Sequence, residues 1–242
     1  MATPSTTLVR PLFRTPRRFT PLRHTQQRTF LPNLAAQFNP LGASTPQTLS
    51  AHRTLPYPSA AIYTIISDVS SYSTFLPYCQ SSSVTRWSAP DSTYQRRWPS
   101  EANLVVGYGN VSESFTSRVF CVPGRILESV GGGAETALDR REIAHHVHEG
   151  EGKIKSSEGG LLTHLSSRWT IEHVSDEKTE VTLALEFAFA NPLYTALSVG
   201  AAPKVADTLI KAFEERVRTL LDSNPDMASA SLQQLGEGEA RR

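Results

Sequence analysis

Apolar and polar positions alternate most strictly around residue 185. Val181, Leu183, Leu185, Phe187 and Phe189 share one parity, with Thr182, Ala184, Glu186 and Ala188 on the other. A period of two sends successive side chains to opposite faces of a sheet, so this run predicts a half-buried strand. A shorter run within 165–174 sets Trp169 and Ile171 against Arg168, Thr170 and Glu172. Ala102, Leu104, Val106 and Tyr108 alternate until Gly107 and Gly109 loosen the pattern. Val111 and Phe115 then take the opposite parity, which predicts a bulge that flips the facing. Residues 118–122 and 126–130 read as strands around a Pro123-Gly124 turn, and 82–87 as a short β-rich run. A first strand over 49–55 ends at Pro56-Tyr57-Pro58.

Two segments carry the helical period instead. Ile62, Ile65, Ile66 and Val69 share one face, with Ser59 placed to cap the first turn, and the polar run 68–73 ends the helix. Asn191-Pro192 reads as a second helix start, for a helical region running to about Leu221 that Gly200 and Pro203 bend. Its apolar stripe is Val205, Leu209, Phe213, Val217 and Leu220. Between Gly131 and Gly160 large apolar residues are few, so 131–160 is expected to be a flexible insertion that buries little. Residues 223–242 read as a polar, frayed tail. The order strand, helix, antiparallel strands, long helix is an α+β layout. It predicts a curved antiparallel sheet wrapped around a long C-terminal helix over 49–222.

Charge adds a third region. Residues 1–67 hold Arg10, Arg14, Arg17, Arg18, Arg23, Arg28 and Arg53, with no acidic residue before Asp68. Prolines recur through 1–48 and no apolar period holds. Arg-rich, Ser/Thr-rich and free of acid is the composition of an organellar leader, so 1–48 is read as a mitochondrial targeting leader and linker. Arg28-Thr29-Phe30 resembles a matrix-processing site. A basic tail for nucleic acid is the competing reading, but such tails are rich in lysine, and the first lysine here is Lys153.

Candidate chemistry is sparse. His145, His146, His148 and Glu149 are too tightly spaced for ligation from one helical face, and their glycine-rich flanks predict a solvated loop rather than a metal centre. Cys79 and Cys121 lack metal or redox spacing, and free buried thiols are expected. Neither a nucleophile elbow nor a phosphate-binding glycine loop occurs. Glu113 and Glu186 lie on strands, where a cavity carboxylate can do acid–base work but where glutamate more commonly faces water. No catalytic residue, catalytic cofactor, metal or nucleic-acid partner is assigned.

The runs SDVSSYSTFLPYCQSSSVTRW, LVVGYGNVSESFTSRV, LTHLSSRWTIEH, LEFAFANPLY and IKAFEERVRTLL carry a resemblance. Across roughly residues 50 to 222 the chain resembles the mitochondrial coenzyme-Q-binding protein family, within the START and polyketide-cyclase-like helix-grip superfamily. It departs from the family pattern in the length of 131–160 and in a longer connection between Trp87 and Trp98-Pro99. The resemblance implies a helix-grip fold and a non-catalytic ubiquinone-binding protein, peripheral on the matrix side of the mitochondrial inner membrane. Such a protein supports respiratory electron transport and ubiquinone biosynthesis, with the respiratory complexes or the quinone-synthesis enzymes as partners. Relatives of the same fold also leave open a ribosome-associated translation factor or a polyketide-cyclase-like enzyme.

A carrier of an isoprenoid chain needs apolar walls, because each buried methylene contributes about 0.8 kcal/mol. The walls expected here are Leu104, Val106, Trp169, Ile171, Leu185, Phe187, Leu209 and Phe213. Phe75 and Leu76 are placed at the rim, in the stretch where Pro77 forbids a continued helix, and Val69 and Tyr72 are assigned to the ligand site as well. Tyr78 or Tyr108 is expected to offer a hydroxyl to a headgroup oxygen.

Overall fold

The computed structural model describes residues 46–108, 111–147, 161–191, 194 and 202–234. The expected leader therefore lies almost entirely outside the described residues, as do His148, Glu149 and Asn191-Pro192's helix start beyond Asn191. The described strands are β1 (Gln47–Leu55), β2 (Cys79–Trp87), β3 (Pro99–Tyr108), β4 (Val111–Val122), β5 (Ile126–Gly132), β6 (Leu162–Ser175) and β7 (Lys178–Phe189). They form one sheet ordered β1-β7-β6-β5-β4-β3-β2, with every neighbouring pair antiparallel. β2 to β7 thus follow one another as a meander, and β1 returns to flank β7.

The turn chemistry explains the meander. Gly124 takes φ +79°, and the Arg125 amide donates to the Val122 carbonyl at 3.0 Å, closing a tight reversal that a side chain at 124 would strain. The parity break after Gly107 is a reversal too, and not the expected bulge. Tyr108 pairs with Val111 and Gly107 with Ser112, so two strands meet where one bent strand was read. A hairpin and a bulge disturb alternation alike, and only the pairing separates them.

Helices cover one face of this sheet. α1 (Ser59–Ser67) is buried from Ala61 to Ser67. Its cap is Pro58, whose carbonyl accepts the Ile62 amide at 3.3 Å, and Ser59 already lies in the first turn, where its hydroxyl does not cap. A short 3-10 helix, Val69–Thr74, follows. The long helix α2 (Ala202–Ser223) buries Ala206, Ile210, Phe213, Val217 and Leu221, leaving Val205, Leu209 and Leu220 half-buried on its flank. The tail does not fray where it is described: α3 (Pro225–Ser229) follows at once, Met227 and Ala228 pack on the core, and Leu232 is buried in it. Three apolar residues in a polar run are enough to dock a short segment.

The outer face has a cover as well. The segment expected to bury little folds across β4 and β5 as far as Val147. There Ile143, Leu138 and Ala134 join Phe120, Val122, Val130 and Ile126 in a second apolar cluster. Glu128, buried on this face, accepts two hydrogen bonds from Arg168 (2.9 and 2.5 Å) and one from the Thr136 hydroxyl. His146 is buried rather than solvated. Its Nε2 accepts the Cys121 amide at 2.9 Å, and its Nδ1 lies 3.2 Å from the Ser100 hydroxyl, so the ring serves as a neutral acceptor for a strand amide beside Pro99. Its neighbour His145 is half-buried, and desolvation holds its pKa below the usual histidine range.

Candidate functional site

Residues directly opposite one another in antiparallel strands share a face, so the register maps the helix-covered inner face. One row runs Ala51, Leu183, Trp169, Leu127, Cys121. With Ile171, Val181, Val119 and Ala102 it is sealed beneath α1 and α2. Trp169 meets Phe213 of α2 with ring centroids 4.8 Å apart, and this pair forms the floor. The next rows lead away from the floor. Leu185, Ser167, Ser129 and Val119 make one, and Phe187, Leu165 and Gly131 the other.

In that second half the apolar side chains are only partly covered. Leu104, Val106 and Phe115 stand on one side, Leu165, Leu185 and Phe187 on the other, all half-buried. The centre is floored by small residues: Ser117, Ser129, Gly131 and Ser167. A Cβ added at Gly131 would come within 3.2 Å of the Ser117 hydroxyl, so even alanine crowds this place. Of these, Ser117 and Gly131 are buried, while Ser129 and Ser167 are half-buried between the larger side chains. Phe189 extends the β7 wall, with Phe187 at 5.6 Å and Tyr194 at 6.0 Å.

The expected site residues divide between floor and wall. Val69, Tyr72, Trp169, Ile171 and Phe213 belong to the sealed core, and Phe75, Leu76, Leu104, Leu185 and Leu209 pack on it half-buried. Val106 and Phe187 lie farther out on the same face. Tyr108 ends β3, and its side chain is outside the described residues. Tyr72 is spent on structure: its hydroxyl donates to the Ile66 carbonyl at 2.6 Å, and burial pushes its pKa well above the usual tyrosine range. Tyr78 sits at φ +69°, a left-handed conformation that a non-glycine residue rarely adopts, and its carbonyl accepts the Gly107 amide at 2.8 Å. That strained residue lets the chain turn from the 3-10 helix into β2 while Phe75 and Leu76 stay beside α2. The Arg216 guanidinium of α2 lies 5.5 Å from the Phe75 ring centre, within cation–π range.

Glu113, Phe115, Ser117, Ser129, Gly131, Leu165 and Ser167 were not among the residues assigned to the site from sequence. Reading β3 and β4 as a hairpin would have put Glu113 and Phe115 beside Val106 and Leu104, their register partners. Of the two strand glutamates singled out in the sequence, Glu113 points to the inner face and Glu186 to the outer one, where it lies 3.4 Å from His164 Nε2. A cavity of about 230 Å³ opens on that outer face, lined by Thr48, Glu128, Glu135, His164, Ser166, Arg168 and Glu186. Ala134, Ala137, Ala184 and Leu185 complete its lining, so charged and apolar side chains share its walls.

Both cysteines are free thiols. Burial raises the pKa of Cys79 and pushes Cys121 up to about 12, so neither is a ready nucleophile at neutral pH. Among the described residues, no group of three or more His, Cys, Asp or Glu side chains is placed to hold a metal ion. No described helix is long and apolar enough to cross a membrane.

A curved antiparallel sheet holding a long C-terminal helix, with an apolar inner face only half sealed, defines the α+β helix-grip class. A START superfamily protein from Mycobacterium smegmatis shares it, with a TM-score of 0.51 and 17% identity over 72% of this chain and 98% of that one. An aromatase/cyclase from a Streptomyces species superposes with a TM-score of 0.50 and 14% identity, over 74% and 98% of the two chains. The chain belongs to the polyketide cyclase/dehydrase and lipid transport family, whose profile matches residues 55–214. It is similar to the mitochondrial coenzyme Q-binding protein of Schizosaccharomyces pombe, at 29% identity over 69% of this chain and 85% of that protein. The ribosome association toxin RatA of Pseudomonas aeruginosa is similar at 28%, over 69% and 92%.

Proposed function

We propose that this protein binds ubiquinone and carries it without converting it, at the matrix face of the mitochondrial inner membrane, in support of respiration and quinone synthesis. The observation that carries the reading is the half-covered apolar inner face, with its centre of small side chains flanked by Leu104, Val106, Phe115, Leu165, Leu185 and Phe187. Such a surface suits a flexible isoprenoid chain, whose transfer from water is favourable by about 0.8 kcal/mol per methylene. The similarity to proteins named as mitochondrial and coenzyme Q-binding supports the choice of ligand. The acid-free, Arg-rich first 67 residues support the compartment. A carrier reading also agrees with the chemistry of the face, where the cysteine thiols stay protonated and the Tyr72 hydroxyl is committed to a backbone carbonyl.

The test is an organic extract of the full-length protein purified from a ubiquinone-producing host, analysed by chromatography. Ubiquinone recovered at a sizeable fraction of one per chain is expected. Repeated absence of quinone, with ribosomal RNA or ribosomal protein recovered instead, would overturn the reading in favour of a ribosome-associated role.

A further inference from the structure

Glu113 is the one carboxylate that the described strands present on the inner face. It stands opposite Val106 and two residues from Phe115, among apolar neighbours. One oxygen is used by the fold: Oε1 accepts the Leu161 amide at 2.5 Å and the Leu162 amide at 3.4 Å, tying the start of β6 to β4 beyond the end of β5. The other oxygen, Oε2, is buried and meets no hydrogen-bond donor. A buried acceptor without a donor is unfavourable, more so when charged, and such an atom in a native site calls for a partner. The tie to β6 does not require Oε2, because Oε1 alone receives both amides.

The donor that completes this oxygen determines which ligand fits. An oxidised benzoquinone ring carries carbonyl and ether oxygens, which are acceptors only. Set against a carboxylate oxygen they place lone pair against lone pair. The reduced ring carries hydroxyl groups, and an O–H donated to a carboxylate makes a short, charge-assisted hydrogen bond. We propose that Glu113 selects the redox state of the bound headgroup: Oε2 accepts a hydroxyl of the reduced, dihydroxy ring, so the protein retains quinol in preference to quinone. This inference rests on the ubiquinone-binding reading above and names the form of the ligand that the site favours.

The experiment uses the full-length protein under anaerobic conditions and three short-chain probes of like shape. They are a ubiquinol, the matching ubiquinone, and the quinol's 1,4-dimethyl ether, which lacks donors. The wild type should bind the quinol at least about tenfold more tightly than either other probe, as expected of a charge-assisted hydrogen bond. Glu113→Gln keeps an oxygen for the Leu161 and Leu162 amides and turns an N–H₂ donor inward, so its preference should invert towards the quinone. Equal wild-type affinity for the quinol and its dimethyl ether would overturn the inference while leaving the carrier reading intact, and this comparison needs no variant to fold. A preference that Glu113→Gln leaves unchanged would overturn the part assigned to Glu113. Failure of all three probes to bind would overturn the carrier reading and this inference with it.

Discussion

Leu76 and Phe213 both line the apolar interior, yet the same change at each has different consequences. Phe213 is 1% exposed and packs on Trp169, so Phe213→Ser leaves a cavity and a buried hydroxyl in the sealed floor. Its loss of stability should be about 3–5 kcal/mol, read from a urea unfolding curve. Leu76 is half-buried at the bend held by Pro77 and Tyr78, and Leu76→Ser should shift the curve by about 1 kcal/mol. Quinone retained after purification should fall in Leu76→Ser while the fold persists, and full retention would remove Leu76 from the site. The residue that sequence reasoning would have chosen as wall is therefore a poor probe of binding. Apolar character was legible for both, but the degree of cover over each depends on how α2 lies on the sheet.

At the scale of elements, alternation located the strands well, and its failures have identifiable causes. β7 is continuous from Lys178 to Phe189 because its inner residues face a core and its outer ones face solvent or polar partners. The segment after β5 was misread because Leu138 and Ile143 are isolated apolar residues with no period, and their partners lie on strands that already look two-faced. That segment is also held by polar bonds, through Thr136 to Glu128 and on to Arg168. Glu128's side chain is 3% exposed, so removing its cation leaves a charge in poor solvent. Arg168→Met should destabilise the protein by about 3 kcal/mol, and adding Glu128→Gln should restore most of that loss. Thermal melts of the two single variants and the double variant measure the coupling. Simple additivity would show that Glu128 is stabilised by other means.

At the scale of the described domain, the last described residues close one end of its core. Leu232 is buried against the core, with its Cδ1 3.2 Å from where a Cβ on Gly124 would lie, so α3 and the residues after it seal the end of the sheet where β4 turns into β5. Leu232→Ala should lower stability by about 2 kcal/mol, seen as a melting point lower by roughly 4–8 °C. A melt identical to the wild type would mean that the tail only rests on the surface. The α+β class, the covering helix and the apolar inner strands were all legible in the sequence. Leu104, Val106, Leu185 and Phe187 of the candidate face were legible too, but the serines and the glycine between them were not, because small residues carry no apolar period. Ser117, Ser129, Gly131 and Ser167 come from three strands, and only their register brings them side by side.

That serine-and-glycine band sets two kinds of improvement against each other. A library screened for heat resistance in lipid-free conditions would reward leucine or valine at Ser129 or Ser167, since these half-buried positions let added methyl groups leave water. Under the carrier reading proposed above, the winners would be sturdier proteins with nowhere to put a passenger. Hardiness measured on the empty protein is therefore the wrong criterion for choosing variants, and any engineering of this fold should be scored on cargo and melting point together.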